Sequence, residues 1–292
     1  MANPALRQAF EQKKFIVAPG IFDMISAKVA DGMGFDCLYG TGFGTVASHL
    51  GVPDAGIATY TDMVARMGQM ARGVRTPMIA DADTGYGGLL NVRHTVIGYE
   101  AAGISGIQLE DQEMPKKCGH TPGRRVIPAE EMALKIKVAA EARTSPDFLI
   151  VARTDARTTL GLEEAIRRGR MFEEAGADVV FIESPESEEE MRAIGKAIRK
   201  PLLANMVEGG RTPILPAEKL KEIGYAIAIY PAIGFLAMAA AMERVYGHLK
   251  QHGDSLAIGE SYGFKRMTDL MGFPEVWDFE TRWATQSAKA AE

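Results

Sequence analysis

Five short apolar runs in this sequence each end in side chains that could do chemistry. Met78–Ala80 runs into Asp81-Ala82-Asp83, Gly106–Leu109 into Glu110-Asp111, and Phe148–Ala152 into Arg153-Thr154-Asp155. Val179–Ile182 runs into Glu183, and Leu202–Ala204 into Asn205 with Glu208 beyond. Asp and Asn often begin loops for reasons of turn geometry alone, but that accounts for one or two such ends, not an unbroken series. Asp81, Asp83, Glu110 and Asp111 offer oxygen donors only, with no His or second Cys close by in sequence. Such a set suits a hard divalent cation, Mg2+ or Mn2+, rather than zinc. A carboxylate pair working as general acid and base without metal is the other chemistry open to them. Carboxylates crowded into one mouth repel one another, which favours the cation.

Beyond the fourth run comes Pro115-Lys116-Lys117-Cys118-Gly119-His120. Two lysines and a histidine beside a thiol favour its thiolate. Cys37, inside an apolar run, reads instead as a small core residue. Gly40-Thr41-Gly42-Phe43-Gly44-Thr45 offers backbone N–H groups to an anion, although a glycine-rich turn can also simply turn. Asp54, in Val52-Pro53-Asp54, could stand in the outer shell of a metal, and Arg125 stays ambiguous. His49, His94, His248 and His252 receive no role.

The elements that must position these groups follow from the apolar pattern. Eight runs read as strands: Phe15–Ala18, Cys37–Tyr39, Met78–Ala80, Gly106–Leu109, Phe148–Ala152, Val179–Ile182, Leu202–Ala204 and Ala226–Tyr230. They are continuously apolar, as strands covered on both faces are. Amphipathic stretches such as Pro128–Arg143, Leu162–Ala175 and Ser187–Lys200 lie between them, so the order is βαβ and the sheet parallel. Gly34, Gly103, Gly176 and Gly224 recur between a helical stretch and the next strand, where a helix end takes up left-handed dihedrals. The expectation is an α/β protein with a (β/α)8 TIM-type barrel, an open doubly wound sheet being the alternative. In such a barrel the C-terminal strand ends converge on one mouth. One domain over residues 1–292 is expected, with the barrel at about 15–252 and a helical extension at about 255–292.

Composition bounds the rest. The 292 residues are 47% hydrophobic and 24% charged, an ordinary globular balance. With a net charge of −5, nothing suggests a nucleic-acid-binding face, which wants clustered Lys/Arg and an alkaline pI. Two cysteines cannot build a disulfide framework, so a reducing compartment, the cytoplasm, is expected. The N-terminus shows no apolar core of a signal peptide. The charge-free stretch Tyr225–Met242 approaches the length of a membrane span, but Pro231 and Gly234 interrupt it. A buried strand followed by a helix is the better reading.

In their order along the chain, several motifs resemble the isocitrate lyase/phosphoenolpyruvate mutase superfamily. They are Thr41-Gly42, Leu50-Gly51-Val52-Pro53-Asp54, Asp81-Ala82-Asp83-Thr84-Gly85-Tyr86-Gly87, Glu110-Asp111-Gln112, Lys116-Lys117-Cys118-Gly119-His120, Ala152-Arg153-Thr154-Asp155-Ala156 and Leu203-Ala204-Asn205. The lysine-lysine-cysteine-glycine-histidine string is similar to the lyase branch, which acts on 2-methylisocitrate, 2,3-dimethylmalate and isocitrate. It is also similar to carboxyphosphonoenolpyruvate phosphonomutase, as is the stretch from Ala204 to Pro213. The resemblance implies a barrel whose eighth helix is exchanged between partners in a dimer of dimers, a homotetramer. It implies Mg2+ near Asp81, with Asp54, Asp83 and Glu110 acting mostly through water. It implies that Tyr39, Thr41, Gly42 and Phe43, with Arg153 and Asp81, hold the α-oxyacid portion of a substrate. Gly119, His120, Glu183 and Asn205 would hold the other carboxylate end, with Pro231 also at the substrate. Cys118 would be the catalytic acid, in a group with Arg153, Tyr39, Lys116 and His120. One departure stands out: Phe43 is bulky where methylisocitrate lyases tend to have glycine.

The function this implies is a Mg2+-dependent carbon–carbon lyase. It would cleave a 2-hydroxy di- or tricarboxylate to a 2-oxoacid such as pyruvate plus a carboxylate. A phosphonomutase, an oxaloacetate-type decarboxylase or hydrolase, and a non-catalytic binding protein are the alternatives. No nucleic-acid or membrane partner is expected.

Overall fold

A computed structural model of the chain describes residues 2–119 and 123–290, with side chains to residue 284. All eight apolar runs form strands: β1 (Ile16–Ile21), β2 (Leu38–Gly40), β3 (Met78–Asp81), β4 (Gly106–Glu110), β5 (Leu149–Thr154), β6 (Val179–Ile182), β7 (Leu202–Asn205) and β8 (Tyr225–Tyr230). They close into a parallel barrel in chain order, so the open-sheet alternative is excluded. β1 runs further than its apolar pattern suggested. The apolar run ends before Pro19, which has no N–H to give a ladder, but Gly20 and Ile21 go on to pair with Tyr39 and Gly40. A Cβ on Gly20 would run into the Pro231 backbone, so this corner of the barrel closes only on glycine.

Alternation along the strands divides the core in two. Cys37, Tyr39, Ile79, Val151, Val179, Phe181, Leu203 and Ile229 pack together inside the barrel. Leu38, Met78, Ala80, Ile107, Ile150, Ala152 and Val180 face outward and join the larger core under the helices. Helix Leu162–Ala175 falls where its pattern placed it. Gly34, Gly103, Gly176 and Gly224 all take positive φ at the turns into strands.

By backbone contacts the chain forms two compact units, Met1–Leu236 and Ala237–Glu292. The division falls inside helix Ile233–His252. The second unit also contains helices Phe264–Leu270 and Phe273–Ala290. No residue of Ile233–His252 is buried. Leu249, Phe264, Trp277 and Trp283 are exposed as well. The charge-free stretch resolves into β8 and the start of that helix. Among the described residues, no helix is long and apolar enough to cross a membrane.

Candidate active site

The lumen-facing register carries the chemistry. Two residues beyond Ile79 stands Asp81, two beyond Val151 Arg153, two beyond Phe181 Glu183, and two beyond Leu203 Asn205. Successive strand residues point to opposite faces, so each of these side chains takes the inward side at the C-terminal mouth. They line a cavity of about 270 Å³ together with Tyr39, Thr41, Phe43, Asp54, Glu110, Lys116, Cys118, Gly119 and Pro231. The residues expected to form the site therefore share one cavity, with three qualifications. Asp83 does not line the cavity but pairs with Lys116, which does. Gly42 is not at the surface of the cavity, but a Cβ there would run into the Asp81 carboxylate. His120 lies outside the described residues.

Two buried cations organise the carboxylates. Lys116 Nζ pairs with Asp54 and lies 2.5 Å from Asp83 Oδ1. Burial works against the lysine's charge, but Asp83, Glu110, Asp81 and Asp54 outweigh it and hold its pKa well above the ordinary value. Burial pushes the Asp83 carboxyl up to about 6 against the pull of Lys116, with Asp81 and Asp54 adding repulsion. Asp81 and Glu110 are raised mainly by burial as well. Arg153 donates through Nε and Nη2 to Asp155, both at 2.9 Å. Its other neighbours are Glu110 at 3.4 Å and Glu183 at 3.5 Å, and its guanidinium sits 5.2 Å from the centre of the Phe181 ring. The bidentate pair locks its plane. For Asp155, burial opposes ionisation, but Arg153 and Arg124 win and the pKa is lowered.

Further contacts orient the remaining groups. Tyr39 donates to Gln108 at 2.6 Å. Burial raises its phenol well above the usual range, with Asp81 adding repulsion, so it stays protonated. Asn205 Nδ2 donates to Glu183 at 3.0 Å. Gln112 clamps the loop after β4 at Lys117, accepting from its N–H at 3.0 Å and donating to its carbonyl at 2.9 Å. This clamp presents the half-buried Cys118 to the cavity. A Cβ on Gly119 would strike Arg153. Arg124, absent from the sequence reading, closes the same loop by donating to Asp155 at 2.5 Å and Thr158 at 2.7 Å.

The donor set fits a mostly hydrated Mg2+. Glu110 Oε1 is buried with no hydrogen-bond partner among the described residues. Asp54, Asp81, Asp83, Glu110, Glu183 and Asp155 outnumber the nearby Lys116, Arg153 and Arg124, so an anionic ligand needs added positive charge. Among the described residues no three His, Cys, Asp or Glu side chains stand as a ready-made cage. That agrees with a cation held directly by one carboxylate and through water by the rest.

The family model for phosphoenolpyruvate phosphomutase matches residues 6–250. The chain is 49% identical to 2,3-dimethylmalate lyase of Eubacterium barkeri, covering 96% of this chain and 97% of that one. It is 41% identical to 2-methylisocitrate lyase of Aeropyrum pernix, over 98% and 92% of the two chains. Among solved structures, a phosphonopyruvate hydrolase in complex with oxalate and Mg2+ superposes with a TM-score of 0.86 at 30% identity, over 97% and 100%. The chain belongs to the phosphoenolpyruvate mutase/isocitrate lyase superfamily.

Proposed function

We propose that the protein is a carbon–carbon lyase cleaving a 2-hydroxy di- or tricarboxylate, of the 2,3-dimethylmalate or 2-methylisocitrate kind. The products would be a 2-oxoacid such as pyruvate and a second carboxylate. The observation that carries this reading is the meeting of Cys118, Arg153 and Asp81 on one cavity, in a chain 49% identical to a lyase. Mg2+, held by Asp81 and through water by Asp54, Asp83 and Glu110, would supply a Lewis acid for the substrate's hydroxy-acid end, with Mn2+ as a substitute.

The chain's own residues account for the remaining steps. The N–H groups of Gly42 and Phe43, at the start of helix Gly42–Leu50, face the α-carboxylate with the helix's positive end, and the Thr41 N–H, which donates to the Ile21 carbonyl, ties this turn to β1. Arg153, fixed by Asp155, pairs with the same end, and Tyr39, its hydroxyl held by Gln108, lines it. Lys116 keeps its charge beside the carboxylates and limits their repulsion. Glu183 orients the amide of Asn205, which with Gly119 and His120 takes the far carboxylate. The hydroxyl gives its proton to a carboxylate of the cavity as its carbon becomes the ketone, and breaking the adjacent bond leaves that bond's electron pair on the neighbouring carbon as an enediolate. The Cys118 thiol donates its proton to that carbon as general acid.

The working form is proposed as a homotetramer, a dimer of dimers that exchanges helix Ile233–His252. In support, that helix buries none of its residues within one chain. The cytoplasm is its proposed location, where Cys118 stays a thiol.

The test is a panel of 2-hydroxy acids with Mg2+, reading out pyruvate and glyoxylate. Pyruvate from a methyl-substituted substrate supports the lyase. Phosphorus transfer on an enolpyruvate, or cleavage of oxaloacetate alone, would replace it with the mutase or hydrolase reading. Chelator should abolish turnover, Mg2+ or Mn2+ should restore it, and Zn2+ should serve poorly.

A further inference from the structure

The cavity has two unlike walls. Asp81, Glu110, Lys116, Arg153, Glu183 and Asn205 form one. Opposite stand Phe43, Val207, Ile229, Pro231, Phe235 and Leu236. Phe43 and Phe235 stack with ring centres 5.2 Å apart and planes 21° apart. Phe22 meets Phe235 edge-on at 6.1 Å, so the stack is braced from behind. Phe43 is nevertheless 40% exposed and Leu236 46%, which leaves these surfaces open at the mouth.

Charge is divided in the same way. The cations that line the cavity among the described residues are Lys116, Lys117 and Arg153. Lys116 and Arg153 belong to the polar wall, and Lys117 Nζ donates to the Gly123 carbonyl at 3.2 Å. Beside the apolar wall the one ionisable lining residue among those described is Glu208, next to Val207 and exposed.

We propose that Phe43, Phe235 and Glu208 set the specificity of this site for a 2-hydroxy dicarboxylic acid whose remaining substituents are alkyl groups, against one bearing a third carboxylate. The inference rests on the lyase reading and narrows it. A ligand whose two carboxylates engage the polar wall turns its other substituents toward the stacked rings. A methyl group there buries apolar surface and gains. A carboxylate there loses water without finding a donor among the described residues and meets the like charge of Glu208. Rejection therefore comes from an unpaired charge as well as from a better fit of the right group.

The test compares kcat/KM for 2,3-dimethylmalate and 2-methylisocitrate with Mg2+ present. The wild-type protein should favour the dicarboxylate by at least ~100-fold, in the range a pocket achieves by leaving a polar group unpaired. Phe43→Ala should raise KM for 2,3-dimethylmalate about tenfold with a much smaller change in kcat, as loss of uniform apolar binding does. Glu208→Gln should narrow the ratio between the two substrates, most clearly at low ionic strength. Equal or better turnover of the tricarboxylate by the wild-type protein would overturn the proposal. A calorimetric titration with the unreactive pair 2,3-dimethylsuccinate and propane-1,2,3-tricarboxylate separates it from the lyase reading. Tighter binding of the dicarboxylate without cleavage of either substrate would keep the specificity and remove the lyase. Equal or tighter binding of the tricarboxylate would remove the specificity.

Discussion

A serine at position 118 would keep the size of the thiol and leave the wall of the cavity in place, but its hydroxyl is a far weaker acid. Proton delivery to the enediolate carbon should then fail. General acid assistance is typically worth 10²–10⁴-fold, so Cys118→Ser should lower kcat at least ~100-fold with KM largely kept, measured by steady-state kinetics. Near wild-type kcat in a folded Cys118→Ser protein would remove the cysteine from the chemistry. Gly42 makes a different kind of demand, because a Cβ at that position would meet the Asp81 carboxylate and Asp81 would have to turn away. Gly42→Ala should therefore weaken the response to Mg2+ about tenfold or more in a titration of activity, while thermal unfolding moves by only a few degrees. Unchanged Mg2+ dependence would show that Asp81 can shift without consequence.

At the level of elements, Asp31 shows how a helix end fixes the approach to a catalytic strand. It closes helix Met24–Asp31 and accepts from the Arg75 N–H at 3.0 Å, the Thr76 N–H at 2.8 Å and the Thr76 hydroxyl at 2.7 Å. Those two residues lead into β3 and so to Asp81. Burial opposes its ionisation, but the Thr76 hydroxyl and the two N–H groups prevail and its pKa falls below 3.8. A lowered carboxyl contributes stability that is complete above the unfolded value and is lost as pH falls through the folded one. Asp31→Asn should cost about 1 kcal/mol by denaturant unfolding at neutral pH, with the gap to wild type closing below pH ~4. A gap that stayed constant down to acid would show that the charge contributes nothing. The same scale explains what could be read in advance. Asp81, Glu110, Arg153, Glu183 and Asn205 were legible because each ends an apolar run, and two-residue alternation then turns them inward. Gln108 was missed because the surrounding run reads as a buried strand, although it shares the inward register of Glu110. Arg124 and Phe235 carried no local signal. One is buried only because a loop folds back onto Asp155, and the other reads as ordinary helix until Phe43 is brought against it from another part of the chain.

For the whole molecule, the exposed apolar surface calls for a partner. Met242, Tyr246 and Leu249 of one helix and Trp277, Phe279 and Trp283 of another are all more than 40% exposed in the single chain. Patches of that kind mark association surfaces, and closed symmetry is the usual outcome. Light scattering at micromolar concentration should give the mass of four chains of 31.6 kDa; a monomer would refute the assembly. The placement of the tryptophans has a spectroscopic consequence. The chain has two tryptophans, Trp277 and Trp283, and both lie in helix Phe273–Ala290, while Met1–Leu236 has none. Intrinsic tryptophan fluorescence therefore arises wholly from Ala237–Glu292 and not from the barrel's own residues. On dilution its emission should shift to the red as subunits part, while far-ultraviolet circular dichroism holds steady, so the two signals separate dissociation from unfolding in one sample.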